Sequence, residues 1–350
     1  MFSRPLFRIL ILSLPVCGAL AHPDFSVPVR EVAALPAAPL GQGAWRFEVE
    51  AGWAKLPAGQ AFGPTHGGVA VDRAGNVYVS TEGPDGTLVF APDGKFLRRL
   101  APEFTAIHGL LLREENGKEF LYGALNKTAQ VVKLALDGTV QWTIGVPMES
   151  GLYKAPADYK PTAIAVAPDG RIFVADGYGA SVIHVFNAER RYVKTIGAKG
   201  TGDGQFMTCH GVTIDARGGA PLLLVCDREN RRLVQLDLEG NFVRTLAKDL
   251  RRPCAVSLRG EFTAVAELEG RVVILDRAGA VVATLGDNPD KEQWAKYRIA
   301  PELWRDGIFI AAHGLSFDAA GNLYVQDWNF AGRLTKLRLA PARRGLAWNR

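Results

Sequence analysis

One short unit recurs through the chain: an apolar strand, a turn carrying Asp-Gly or Gly-Asn, and a second apolar strand. Copies open within residues 63–80 (GPTHGGVAVDRAGNVYVS), 107–112 (IHGLLL), 161–176 (PTAIAVAPDGRIFVAD), 209–215 (CHGVTID), 253–258 (PCAVSL) and 312–327 (AHGLSFDAAGNLYVQD). The turn residues are those that tolerate positive φ. Residues 87–100 (TLVFAPDGKFLRRL) add a third and a fourth strand to the first copy. Aligned on the opening strand, the copies place His66, His108, Thr162, His210, Cys254 and His313 at one equivalent position, spaced by 42, 54, 48, 44 and 59 residues. A period of about 40–50 residues with four short strands per copy is the signature of a β-propeller. A lone four-stranded sheet cannot bury both of its faces, so the copies must pack face to face around an axis. The fold expected is therefore all-β, a six-bladed β-propeller over residues 45–340. The alternating stretch 45–56 (WRFEVEAGWAKL) has no blade of its own, and it is expected to close the ring as the outer strand of the last blade.

The first strand of each blade lines the central channel, so equivalent positions form a single ring of side chains. Four of the six ring positions are histidine, in a chain that has only six histidines. His108, His210 and His313 belong to blades two, four and six, roughly 120° apart if the blades are evenly spaced. Three converging imidazoles with an open fourth position make the arrangement of a catalytic zinc site, and these three are the expected metal ligands. His66 and Cys254 lie between members of the trio, as supporting groups or competing ligands. The plainer alternative is a channel plugged by hydrogen-bonded histidines and water. His22 and His184 fall outside the ring.

Residues 1–21 read as a secretory signal peptide: Arg4 and Arg8 precede the apolar run 9–14, and Ala19-Leu20-Ala21 forms an A-x-A cleavage site. That run is shorter than the ~20 residues a spanning helix needs, so no membrane span is expected. The predicted location is secreted or periplasmic, with cleavage after Ala21. Residues 22–44, rich in Ala and Pro, read as a tether, and residues 341–350 as a C-terminal tail. Formal charge is +5, or +3 without Arg4 and Arg8, and there is no long basic run; nucleic acid is not expected as a partner. Beyond Cys17, the cysteines are Cys209, Cys226 and Cys254, which allow one disulfide and a free thiol, or three thiols. Residues 287–306, rich in charged and aromatic side chains, read as a short helical loop on the face where the strand of His313 begins.

The stretches 174–186 (VADGYGASVIHVF) and 225–236 (VCDRENRRLVQL) resemble NHL repeats. The joint pattern of IHGLLL, DGYGAS, GQFMTCHGVTID, DREN and AHGLSFD over most of 105–340 resembles, more narrowly, the propeller of peptidyl-α-hydroxyglycine α-amidating lyase (peptidylamidoglycolate lyase). That resemblance implies zinc held by His108, His210 and His313, with Tyr178 of DGY as general base. It makes Arg228 of DREN the group that binds the substrate carboxylate. The reaction implied splits a peptidyl-α-hydroxyglycine into a peptide amide and glyoxylate. Zinc would polarise the substrate oxygens, a tyrosine beside a cation can take a hydroxyl proton, and a guanidinium can grip a carboxylate with two bonds. The chain departs from the family at three places. The stretch VSTEGPDG (79–86) lacks the family's first-blade arginine. Gly314 replaces the acidic residue tied to the family's structural calcium, and Gly179 replaces a cysteine. The implied partner is a small-molecule or peptide carboxylate. The main alternative is a non-catalytic NHL-repeat binding propeller with structural channel histidines; for Arg228 it implies an ion pair with Asp176 or Asp227, and for Tyr178 a packed rim position. A calcium-dependent, lactonase-like propeller ranks last, because the six ring positions offer no carboxylate.

Overall fold

The computed structural model describes residues 39–341, so the signal peptide, residues 22–38 of the tether and residues 342–350 of the tail lie outside the described residues. Within them the chain is a six-bladed β-propeller. Blade one runs from Thr65–Val71 to Phe96–Leu100, and blade two from Gly109–Glu115 to Val140–Ile144. Blade three runs from Ala163–Val166 to Tyr192–Ile196, blade four from Cys209–Asp215 to Phe242–Ala247, and blade five from Pro253–Arg259 to Val281–Leu285. Each is a four-stranded antiparallel meander with its first strand innermost. Blade six supplies Ala312–Phe317, Leu323–Asp327 and Arg333–Leu339 from the C-terminal side, and Trp45–Glu50 from the N-terminal side pairs antiparallel with Arg333–Leu339. The ring is closed as expected, with two refinements. The closing strand ends at Glu50 and the chain turns there, instead of continuing to Leu56. Leu40–Gln42 adds a fifth strand outside it, so the tether boundary at residue 44 is too late: a hairpin at Gln42–Trp45 already belongs to the sheet.

Strand alternation explains why six sheets make one body. In the second strand of blade one, Val77 and Val79 face the seam with blade six while Tyr78 faces blade two. Each of the six seams is filled by one apolar cluster contributed by the two blades that flank it. Phe47 and Trp45 of the closing segment join the seam between blades five and six, where Phe47 is fully buried. Burial of one such aromatic contributes about 1.5–3 kcal/mol, which favours closing the ring over leaving a sheet edge open.

The turns follow the chemistry read from the sequence. In blade one the Asp72 carboxylate accepts from the Asn76 amide at 2.7 Å, and Gly75 supplies a φ of +84°. A second recurrent device lies at the other end of the second strands. Asp176, Asp227, Glu267 and Asp327, all fully buried, accept hydrogen bonds from backbone amides of the segment that leads into the inner strand of their own blade. These carboxylates pin the loops of the histidine-bearing face. The insertion 287–306 lies on that face, as expected, but holds only two short 3-10 turns, Lys291–Gln293 and Pro301–Leu303. Its Ala295, Ile299 and Trp304 pack over Cys254, Leu268, Ile310 and Ala311. Among the described residues no helix is long and apolar enough to cross a membrane.

Candidate metal centre and substrate mouth

The ring residues reach the axis because the ladder bulges beneath them. Pairing steps from Cys209–Asp227 to Gly211–Cys226, from Pro253–Glu267 to Ala255–Ala266 and from Ala312–Asp327 to Gly314–Gln326. His210, Cys254 and His313 are therefore the extra residues, outside the ladder. Blade one has a similar shift between Thr65 and Val69, which spans His66. A bulge re-aims a side chain, here toward the channel. A glycine follows each of the four histidines, and three of these glycines sit against the next blade. A Cβ on Gly109 would lie 2.4 Å from the Thr162 carbonyl, one on Gly211 2.5 Å from the Cys254 carbonyl, and one on Gly314 1.7 Å from the Gly67 carbonyl. The missing side chains let neighbouring backbones close in at the hub.

Two of those carbonyls orient ring histidines. His108 Nδ1 lies 2.8 Å from the Thr162 oxygen, and His210 Nδ1 lies 2.8 Å from the Cys254 oxygen. A carbonyl only accepts, so both Nδ1 atoms carry the proton and both Nε2 atoms present a lone pair when the rings are neutral. Burial, and behind it the charge of neighbouring histidines and Arg228, holds His108, His210 and His313 well below the ordinary imidazole value, so they are neutral at neutral pH. Both Nε2 atoms converge on one hydroxyl: Tyr178 Oη lies 3.2 Å from His108 Nε2 and 3.0 Å from His210 Nε2. One hydroxyl hydrogen serves two lone pairs, and a cation would satisfy what it cannot. His313 completes the predicted trio, with ring centroids 4.5 Å from His210 and 5.0 Å from His108. The donor types fit zinc, since the three imidazoles are neutral and two have the other ring nitrogen tied, but His108, His210 and His313 are not one of the groups whose donor atoms all close to within 4.8 Å.

The two positions between members of the trio also join the cluster. Donor atoms of His66, His108 and His313 come within 4.8 Å of one another, as do those of His210, Cys254 and His313. His66 Nδ1 pairs with the Glu82 carboxylate at 2.8 Å, and Lys127 holds the other Glu82 oxygen at 3.2 Å. The hydrogen bond with His66, opposed by burial, keeps the Glu82 carboxyl below its ordinary range. Sequence alignment of ring positions passed over Glu82 because it follows a second strand, beyond Val77–Thr81, instead of opening a first one. The register could have found it: Glu82 directly follows Thr81, which pairs across the ladder with Thr65 beside His66. Cys209, Cys226 and Cys254 are all buried free thiols. Burial pushes the Cys254 thiol up to about 11 against the opposing pull of Arg228 and Arg252.

Arg228 and Tyr178 meet at the mouth, as their positions after second strands imply. Arg228 Nη1 donates to Tyr178 Oη at 3.1 Å, and its Nε donates to Glu229 at 2.9 Å. Arg228 pairs with neither Asp176 nor Asp227; Arg232 takes Asp227 at 2.7 Å. Arg252 also donates to Glu229, through Nε at 3.0 Å and Nη2 at 2.6 Å, which sets two guanidinium groups around one carboxylate at the mouth. Arg252 was not singled out by the sequence, since it lies outside any repeat motif. Burial raises the Tyr178 phenol to about 12 despite Arg228, so the hydroxyl keeps its proton at neutral pH. His184 lies outside the ring, buried in blade three against Tyr153 and Thr195. Along the axis a cavity of about 90 Å³ is bordered by His108, His210, His313, Thr162 and Cys254, and beyond them by Val69 and Leu315. It continues along the inner strands past Leu111, Thr213 and Val256, and Tyr178, Arg228 and Arg252 do not line it.

Comparison with known proteins agrees with the fold. A family model described as a 6-bladed beta-propeller matches residues 161–262, which cover blades three and four and the start of blade five. NHL repeat-containing protein 3 of Homo sapiens is 28% identical over 210 residues, or 55% of this chain and 58% of that protein. The match thus spans less than two thirds of that relative's length. Among solved structures, a gluconolactonase from Xanthomonas campestris superposes with a TM-score of 0.58 at 16% identity, covering 89% of this chain and 99% of that one. Virginiamycin B lyase from Staphylococcus aureus gives 0.54 at 13% identity, covering 84% and 100%. At these identities the structural likeness concerns the fold alone. The chain is a six-bladed propeller with NHL-repeat relatives.

Proposed function

We propose that the chain is an exported zinc-dependent lyase, similar to peptidyl-α-hydroxyglycine α-amidating lyase, that cleaves the C–N bond of a hydroxyglycine-type carboxylate to an amide and glyoxylate. The observation that carries this reading is the single point at which Tyr178 Oη meets His108 Nε2, His210 Nε2 and Arg228 Nη1, all within 3.2 Å. His108, His210 and His313 would hold the zinc, which when bound supplies Lewis-acid polarisation of the substrate oxygens. Arg228, mostly buried and held by Glu229, would take the substrate carboxylate, with Arg252 on the same Glu229 adding positive charge. The reaction needs no net proton: the hydroxyl loses one as the carbonyl forms, and the amide nitrogen gains one as the C–N bond breaks. Tyr178, which holds its proton at neutral pH, would relay it by giving that proton to the nitrogen as the C–N bond breaks and taking the hydroxyl proton in its place. Arg4, Arg8 and Ala19-Leu20-Ala21 support export.

Metal analysis of the purified protein tests the centre. Near-stoichiometric zinc, lost in a His108→Ala/His210→Ala double variant, supports the reading, and metal-free protein of normal stability overturns it. Catalysis is tested by glyoxylate release from an α-hydroxyglycine peptide, with Tyr178→Phe as the comparison; absence of turnover in the unmodified protein removes the lyase assignment even where zinc is present. A second reading, a non-catalytic NHL binding propeller, is favoured by one observation: His108 and His210 each bond the backbone of the next blade, which is also what a structural hub requires. Full stability without metal, together with no turnover, selects it.

A further inference from the structure

We propose that His66, oriented by Glu82, is a ligand of the hub metal, a fourth candidate beside the trio whose donor atom comes within 4.8 Å of those of His108 and His313. The proposal rests on the reading of the hub as a metal site. The four rings form a closed quadrilateral whose edges, His66–His108, His108–His210, His210–His313 and His313–His66, measure 4.6, 4.7, 4.5 and 4.9 Å between centroids. The His108–His313 diagonal is 5.0 Å, which divides the figure into two triangles of nearly equal size. His66 stands to that shared edge as His210 does. No ring distance marks one triangle as the site and the other as its surroundings.

The outer nitrogens point the same way. A ligating histidine characteristically gives its other N–H to a carboxylate or a carbonyl, which fixes the ring and makes the free nitrogen a better donor. His108 and His210 have carbonyl partners, and His66 has the Glu82 carboxylate at 2.8 Å. His313 has no hydrogen-bond partner among the described residues. By this criterion His66 is better prepared than one of the expected ligands. Its ring plane is also held from the side, stacked against Trp328 at 5.8 Å and 24°. A solvated surface ion pair would leave both partners open, yet the side chains of His66 and Glu82 are only 17% and 15% exposed. Tyr178 bonds His108 and His210, so an ion that leans toward His66 and His313 shares His108 and leaves the Tyr178–Arg228 contact in place.

The test measures Zn2+ affinity by competition with a chromogenic chelator on the full chain, for the unmodified protein, His66→Ala, His66→Gln, Glu82→Gln and His210→Ala. A Co2+-loaded absorption spectrum is recorded for each. Removing the imidazole is expected to weaken binding on the order of 100-fold, with a changed Co2+ spectrum, and Glu82→Gln about 10- to 100-fold with a smaller spectral change. Thermal midpoints in chelator identify any variant that has lost its fold, in which case Glu82→Gln, which removes no ligand, decides. Affinity and spectrum unchanged in both His66 variants and in Glu82→Gln, while His210→Ala loses binding, overturns the fourth ligand and keeps the three-histidine centre. No Zn2+ or Co2+ binding by the unmodified protein overturns the metal reading itself.

Discussion

Gly109 offers the sharpest test of how the hub is built. An alanine there places its Cβ 2.4 Å from the Thr162 carbonyl oxygen, 3.0 Å from the Ala163 Cα and 3.3 Å from the Thr162 carbonyl carbon. All three atoms are backbone of the next blade's inner segment, so no side chain can swing away. An ordinary contact needs about 3.4 Å, so the two blades must part locally by roughly 1 Å. Overpacking of this kind costs about 1–3 kcal/mol. The displaced carbonyl is the one that receives the His108 Nδ1 proton at 2.8 Å, and its loss adds about 1 kcal/mol. The expected destabilisation is therefore about 2–4 kcal/mol. At about 2.1 cal/mol/K per residue over roughly 300 residues, that lowers Tm by about 3–6 °C. Differential scanning calorimetry at one fixed scan rate reads it, with Gly145→Ala as control, because a Cβ on Gly145 meets nothing within 4 Å. The control should stay within about 1 °C. Zn2+ affinity should also fall in Gly109→Ala, since His108 loses its orienting partner. A Gly109→Ala protein as stable as the control, with unchanged metal affinity, would refute the claim that glycine-permitted blade contact sets the histidine geometry.

Other outcomes follow from the same structure. Tyr178→Phe removes the hydroxyl shared by His108, His210 and Arg228, and should lower glyoxylate release by about 10²–10⁴-fold while leaving Tm nearly unchanged. Arg228→Lys cannot offer a planar fork to a carboxylate and should chiefly raise KM, read from initial rates over a range of substrate concentrations. Asp227→Ala leaves Arg232, Asn230 and the Met207 amide without their common acceptor and should cost about 3–5 kcal/mol in urea unfolding. Hydrogen bonds from Arg217 hold the buried Asp215 carboxyl below its ordinary value of 3.8, against the opposing effect of burial. Its folded form thus binds fewer protons than the unfolded chain in acid. Its stabilisation is complete above about 3.8 and drains away as pH falls through the lower folded value, so Asp215→Asn should flatten that part of the stability–pH curve.

Particular residues mark the limit of what could be read without coordinates. The period of the copies and the alternation within strands such as Val77-Tyr78-Val79 were legible, because a sheet with two apolar faces has few ways to bury both. The ring of His66, His108, His210 and His313 followed from that period alone. The fifth outer strand at Leu40–Gln42 did not, because three residues carry no periodicity. Nor did Glu82 or Arg252, whose places in the site depend on where loops between strands come to rest.

The sequence by itself determined a six-bladed ring with histidines at its axis, because repetition, alternation and turn chemistry are local and each copy repeats them. Only the tertiary structure decided how those histidines face one another. The bulges at His210, Cys254 and His313, the blade contacts at Gly109 and Gly211, and the pairing of His66 with Glu82 join groups from different strands and, for the glycine contacts, different blades. A donor set is defined by directions as well as residue types, and those directions exist only once the ring has closed.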